Sequence, residues 1–172
     1  LVEDGIITEI GTGVDRSGAR VIDAEGLVAL PGLVDLHTHL REPGYEASET
    51  ILTGSRAGAA GGYTALFAMP NTSPVADTAG VVEQELALGE AAGFVDVQPI
   101  GAVTVGQKGE RLAELGAMAH SRARVRVFSD DGFCVFDPLI MRRAFEYVKA
   151  FDGVIAQHAQ DPRLTEGATH DE

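Results

Sequence analysis

The sequence has 172 residues, 45% of them hydrophobic, and a formal net charge of -13. That length suits one compact domain or a piece of a larger one, and the charge argues against nucleic acid or an anionic membrane surface as a partner, since both would repel it. No unbroken apolar run reaches the roughly 18 residues of a membrane helix, and the single cysteine, Cys134, excludes an intrachain disulfide framework and fits a reducing, cytoplasmic setting.

Residues 1–31 read as short strands and turns. LVEDGIITEIG and ARVIDAEGLVALPG are rich in Val, Ile and Leu, and their Asp-Gly and Glu-Gly pairs mark turns. The chain opens on Leu1, with no Met and no basic signal-peptide flank, inside strand-like sequence; its natural start is expected further upstream. From Leu33 the pattern becomes strand, helix, strand, helix. LVDLHTHL (33–40) reads as a strand, residues 50–60 as a helix stopped by Gly61-Gly62, and TALFAMP (64–70) as a strand ending at Pro70. Asp77 or Thr78 is placed to cap a helix running to Ala92, with Val82 and Leu86 on one face. VDVQPIGAVT (95–104) is a strand interrupted by Pro99, and residues 111–120 set Leu112, Leu115 and Ala119 at helical spacing. ARVRVFSD (123–130) alternates over Val125, Val127 and Ser129. Asp137-Pro138 forms an N-cap and N1 pair for a helix with a buried stripe of Ile140, Ala144, Tyr147 and Phe151, and GVIAQHAQ (153–160) closes the series as a strand.

Alternating βα units imply a parallel sheet, either doubly wound or a (β/α)8 barrel. The first strand-to-helix loop has no GxGxxG, which removes the main support for a dinucleotide site. There is no internal repeat and no low-complexity segment.

The polar interruptions fall at strand ends. His37 and His39 stand at i and i+2 of a strand and so share a face. Together they can chelate one cation at about 2.0–2.1 Å; the competing reading, two core imidazoles, requires several matched hydrogen-bond partners. Asn71 follows the second strand of the series, Asp130 and Asp131 the fourth, and His158 the fifth. Side chains at the C-terminal ends of parallel strands converge on one mouth, and His, His, Asp and His form a set suited to zinc, with manganese or cobalt as alternatives. Singly, each has a plainer reading: Asp-Asp-Gly as a turn, Asn71 as a turn former, His158 as a satisfied core residue, Arg41 as a surface cation paired with Glu42 or Glu46. His120 reads as a helix C-terminal residue, Cys134 as a small hydrophobe and His170 as a loop residue.

Together LPGLVDLHTHLREPG (30–44), AMPNTSPVADT (68–78), FSDDG (128–132) and GVIAQHAQD (153–161) resemble the bacterial type-I dihydroorotases, a branch of the amidohydrolase superfamily. The similarity runs along the whole chain, including the DAEG and LPG segments before His37. It implies a distorted (β/α)8 TIM-type barrel with a small β-sandwich built from flanking segments. Residues 1–31 are then expected in the sandwich and 32–172 in the N-terminal part of the barrel, with about five of its eight strands. It further implies zinc, as two ions: His37 and His39 on one, His158 on the other, and Asp131 between them. Many amidohydrolases fill that bridging position with a carboxylated lysine, a role for which Lys108 and Lys149 are poorly placed. Asp131 is preferred to Asp130 by the alignment alone, since strand alternation does not decide across a turn.

The implied activity is reversible hydrolysis of dihydroorotate to N-carbamoyl-L-aspartate in pyrimidine biosynthesis, by attack of a metal-bridged hydroxide on the ring amide. Arg41, Asn71 and His39 are implied in substrate binding, with the Arg41 fork gripping the substrate carboxylate through two parallel hydrogen bonds. A further metal histidine and the proton-shuttling aspartate are placed beyond Glu172, so the 172-residue segment alone is expected to be inactive. One departure is QHAQD, where many relatives have a cysteine and a glutamate after the histidine; the ligand itself stands. A homo-oligomer is implied, with association with aspartate transcarbamoylase left open. Two other readings remain: an allantoinase or hydantoinase, relatives that lack the arginine of HLREPG, and a noncatalytic dihydroorotase-like scaffold for the transcarbamoylase, a class that loses metal ligands.

Overall fold

The computed structural model describes residues 1–167 and divides the chain into two units, Leu1–Pro31 and Gly32–Glu172. In the first unit Asp4 and Gly5 adopt φ of 50° and 79°, the left-handed pair that a two-residue hairpin demands. They fold β1 (Val2–Glu3) back on antiparallel β2 (Ile6–Ile7). Over residues 19–32 the expected Glu25-Gly26 turn forms, with Asp23 accepting from the Glu25 amide at 3.0 Å, but the short strands expected beside it do not, and Val21, Ile22, Leu27 and Val28 stay exposed. β-Propensity reports fit to a paired, half-buried surface, and this segment has no partner strand in its unit.

The second unit runs β3 (Leu33–Thr38), α1 (Ile51–Ala60), β4 (Tyr63–Ala68), α2 (Ala79–Ala92), β5 (Asp96–Pro99), α3 (Leu115–His120), β6 (Val127–Phe128), α4 (Pro138–Val148) and β7 (Val154–Ile155). Among the described residues the strands of this unit pair in parallel, β3-β4-β5 in one ladder and β6-β7 in another. A parallel bridge from Gly101 to Phe128 joins the two, with Ser129 N donating to Gly101 O at 2.9 Å. Each strand therefore neighbours the next in sequence, as successive βα units require.

Several elements are shorter than their sequence patterns, and side chains are the reason. Pro99 lacks a donor, and past it the amides of Val103 and Thr104 turn to the Asp130 carboxylate at 2.8 and 3.1 Å instead of a neighbouring strand. β6 loses its first residues because the Arg126 guanidinium takes the carbonyls of Arg124 and Val125, at 3.3 and 2.9 Å. α3 starts only at Leu115, since Leu112 is engaged in an antiparallel bridge with Thr104.

The caps follow sequence more closely. Thr50 and Thr53 form a capping box on α1. Asp137 accepts from Leu139 N and Ile140 N at 2.7 and 3.2 Å, with Pro138 in the first turn of α4. Thr78 is the N-cap of α2 but makes no side-chain cap bond, while Asp77 accepts from Gly106 N at 2.8 Å. On α4 the buried residues are Ala144 and Val148, and Phe151 continues their face from the 3-10 turn that follows (Lys149–Phe151); Tyr147, expected in the stripe, is 44% exposed. The steps of four and three residues from Ala144 keep that face centred, and Tyr147 falls to its flank.

Two apolar clusters hold the unit. Leu40, Ile51, Leu66, Ala68 and Val97 lie between the first three strands and their helices. Val82, Leu115, Met118, Val125, Phe128, Ala144, Val148 and Phe151 belong to the second, under α3 and α4. α2 approaches β5 closely at Gly89, where a Cβ would stand 2.5 Å from that of Val97.

One carboxyl group interrupts the buried face of α2. Glu85 has no exposed surface, and burial raises its pKa well above the ordinary carboxylate value. The folded protein thus keeps a proton that the unfolded chain releases above about pH 4.3. Its stability contribution is full below that pH and is lost as pH rises through the raised folded value. Glu85→Gln removes the linkage and is expected to be more stable than wild type at pH 8, with the difference shrinking toward pH 4.5. Denaturant midpoints across that range check it; a difference that does not vary with pH would contradict the assignment.

Candidate metal centre

The ends of β3 and β4 are stitched together, Thr38 Oγ1 donating to Phe67 O and Met69 N to Thr38 O, both at 2.8 Å. His37 lies within β3 and His39 one residue beyond its end. The strand pleat carries both rings to one side, with centroids 5.2 Å apart. Asp131, just after β6, meets them there: Oδ1 is 3.2 Å from His37 Nε2 and Oδ2 is 3.4 Å from His39 Nε2. These ligand atoms all lie within 4.8 Å of one another. Donors about 2.0–2.1 Å from a tetrahedral zinc stand about 3.3–3.4 Å apart, so the spacing and the nitrogen-oxygen donor set fit a divalent cation.

Asn71 fixes the proton on His39. Its Nδ2 is 3.3 Å from Asp131 Oδ2, and a carboxylate only accepts, so the amide nitrogen faces Asp131. Asn71 Oδ1 then faces His39 Nδ1 at 2.9 Å, and that nitrogen must carry the hydrogen. The other ring nitrogen, Nε2, is left to face the Asp131 carboxylate at 3.4 Å, and with a neutral ring the pair offers two donors to a cation placed between them.

The two consecutive aspartates point to different partners. Asp130, 1% exposed, takes the amides of Val103 and Thr104 and the Thr104 hydroxyl. Burial raises its pKa, opposed by these hydrogen bonds. It anchors the 103–109 loop, from which the buried Gln107 donates its side-chain amide to the Asp131 carbonyl at 3.3 Å. Neither Thr104 nor Gln107 is signalled by the sequence; the glycines at 106 and 109 mark only a turn.

Arg41 and Asn71 line an open cleft with Tyr45 and Ser48. Among the described residues the Arg41 guanidinium has no ion pair or hydrogen bond. Both neighbouring acids are committed elsewhere: Glu42 Oε2 accepts from Ile51 N and Glu46 Oε1 from Gly44 N, each at 2.8 Å. The surface pairing that sequence allowed for Arg41 is absent. The loops bearing Arg41 and Asn71 touch through backbone, Ser73 N donating to Pro43 O at 2.9 Å. Gly44, at φ +98°, makes this approach feasible, because a Cβ there would lie 2.2 Å from Ser73 O. Gly44→Ala is therefore expected to cost about 1–3 kcal/mol, seen as a lowered thermal midpoint; an unchanged midpoint would show that the loops part freely.

His158 is not brought into the cluster. It lies beyond β7, its Nε2 2.9 Å from Gln160 Oε1, and lines a separate cleft with Gln107, Lys108, Gly132 and Cys134. Cys134 Sγ is 3.3 Å from the Gln157 amide. His120 ends α3 as expected, Nδ1 2.7 Å from Gly116 O. His170 lies outside the described residues. No helix among the described residues is long and apolar enough to cross a membrane.

The family model described as "Dihydro-orotase-like" matches residues 26–172. The chain is 75% identical over 172 residues to a protein named Dihydroorotase from Leifsonia xyli, and 66% over 172 residues to one so named from Streptomyces coelicolor. A Mycobacterium tuberculosis protein of the same name is 59% identical over 169 residues. The whole of this chain is covered in the first two comparisons and 98% in the third, against 39%, 40% and 39% of the respective relatives. The chain thus spans about 40% of the length of the curated relatives it matches.

Proposed function

Since the chain belongs to the dihydro-orotase-like family, we propose that it is the N-terminal part of a dihydroorotase, interconverting dihydroorotate and N-carbamoyl-L-aspartate in the cytoplasm. The observation that carries this reading is the convergence of His37, His39 and Asp131 at the ends of β3 and β6, with Asn71 linking them to a cleft lined by Arg41, which has no ion pair among the described residues. We propose residues 32–172 as the first strands of a (β/α)8 barrel and residues 1–31 as a β-sandwich segment. The parallel strands in chain order support the barrel.

His37, His39 and Asp131 would hold zinc, and His158 is assigned to a second ion on the resemblance. A divalent cation in such a site supplies Lewis acidity toward a carbonyl oxygen and acidifies water. The chain's own groups do the rest of what can be assigned. Arg41 offers a planar, permanently charged fork to the substrate carboxylate. Asn71 shares its cleft and orients both His39 and Asp131. The proton-shuttling acid is assigned to a part of the enzyme outside this chain, so the 172 residues alone would not turn over substrate. A homo-oligomer is assigned on the same resemblance.

Comparing turnover of dihydroorotate, allantoin and hydantoin by the full-length enzyme tests the substrate class. Dihydroorotate alone should be processed at an appreciable rate. Preference for either other ring would replace this reading by another cyclic amidohydrolase, and a full-length protein that neither binds metal nor turns over any of the three rings would favour a noncatalytic scaffold.

A further inference from the structure

We propose that Glu85 is a positioning residue that holds, through Thr72, the loop presenting Asn71 to His39 and Asp131. The inference rests on the metal-centre reading above and adds to it a group on the far side of the loop. Thr72 directly follows Asn71 and is itself buried. Its hydroxyl oxygen is 2.8 Å from Pro74 O, and 3.4 Å from both Pro70 O and Glu85 Oε1. A hydroxyl has one hydrogen, and the shortest contact is to a carbonyl that can only accept. The Thr72 hydrogen therefore goes to Pro74 O, which ties the 70–74 turn across itself.

That leaves the Thr72 oxygen able to accept, and Glu85 is placed to donate. Its side chain is fully buried on α2, and its second oxygen, Oε2, is buried with no hydrogen-bond partner among the described residues. An ionised carboxylate so placed would keep a charge on an unsolvated oxygen, at a cost of several kcal/mol. The protonated acid has no such charge, in agreement with the upward pKa shift that burial causes. The neutral acid donates to Thr72, Thr72 donates to Pro74, and the turn is fixed from below. Above it, Asn71 spans His39 and Asp131 at 2.9 and 3.3 Å. A shift of the turn by a few tenths of an ångström would loosen both contacts and free the His39 ring.

The test compares wild type, Glu85→Gln, Glu85→Leu and Thr72→Val in the full-length protein. Gln keeps the donor, the size and the neutrality; Leu keeps neutrality and bulk but no donor. Cobalt(II) serves as the probe, read by its visible d–d bands and by titration, with folding followed separately by thermal melts. Glu85→Gln should match wild type in spectrum and affinity. Glu85→Leu and Thr72→Val should bind cobalt about tenfold or more weakly, as outer-shell changes do, with altered bands and with melts that remain cooperative. Should Leu unfold the protein, Thr72→Val, which removes one buried oxygen, carries the comparison. Wild-type affinity and spectrum in the folded Leu and Val variants would overturn the positioning role while leaving the metal centre intact. Weakened binding in the Gln variant equal to that in Leu would overturn it too. Failure of wild type to bind cobalt, or binding indifferent to His37→Ala, would overturn the metal-centre reading and this inference with it.

Discussion

His37→Ala in the full-length enzyme is expected to lower metal affinity and turnover by more than about 100-fold, since even outer-shell partners of metal sites are worth about 10–100-fold. The His37 side chain is 54% exposed, so the thermal midpoint of the metal-free protein should stay close to that of wild type. Removal of this ring leaves Asp131 Oδ1 without its neighbour at 3.2 Å and opens the coordination sphere on the solvent side. His39 is less clean a target, because its loss also strands the Asn71 amide. Metal content and turnover measured on the same preparations check the prediction. Unchanged zinc together with unchanged rate would remove His37 from the site.

Arg41→Lys is expected to raise KM for dihydroorotate about ten- to a hundredfold, the equivalent of about 1.5–3 kcal/mol for a charged hydrogen bond, with metal content unchanged. Lysine keeps the charge but not the two-pronged geometry. The substitution is otherwise mild. Arg41 sits at φ 59° and makes no side-chain bond among the described residues, so lysine inherits the same backbone conformation and breaks no existing pair. The split between KM and metal content separates a carboxylate-binding role from a general disturbance of the loop. Normal kinetics would reduce Arg41 to a surface charge.

What was legible in the sequence is what a short-range rule controls. His37 and His39 were readable because a strand repeats every two residues. Asn71 and the Asp130-Asp131 pair were readable because parallel strands deliver their C-terminal ends to one mouth, with Asp131 preferred within the pair on the family resemblance alone. Caps such as Asp137 are read from two or three neighbouring residues. The choice between Asp130 and Asp131 was not of this kind. It is decided by free amides at Val103 and Thr104, from another βα unit, which draw one carboxylate away and leave the other to the histidines. Strand lengths failed for the same reason: Asp130 and Arg126 side chains satisfy backbone groups that a pattern of Val and Ile assigns to a ladder. Glu85 was invisible, since a single acid on a helix ordinarily marks the solvent face. Segment 19–32 misled in the other direction: its Glu25-Gly26 turn forms, but its Val, Ile and Leu favour short strands for which its unit supplies no partner.

The most direct measurement of the central claim is dihydroorotate turnover by the full-length enzyme before and after its metal is stripped with a chelator. The metal-free protein should be inactive, added zinc should restore turnover, and the same addition to His37→Ala should not. Undiminished turnover by protein shown to contain no metal would contradict the account at its base.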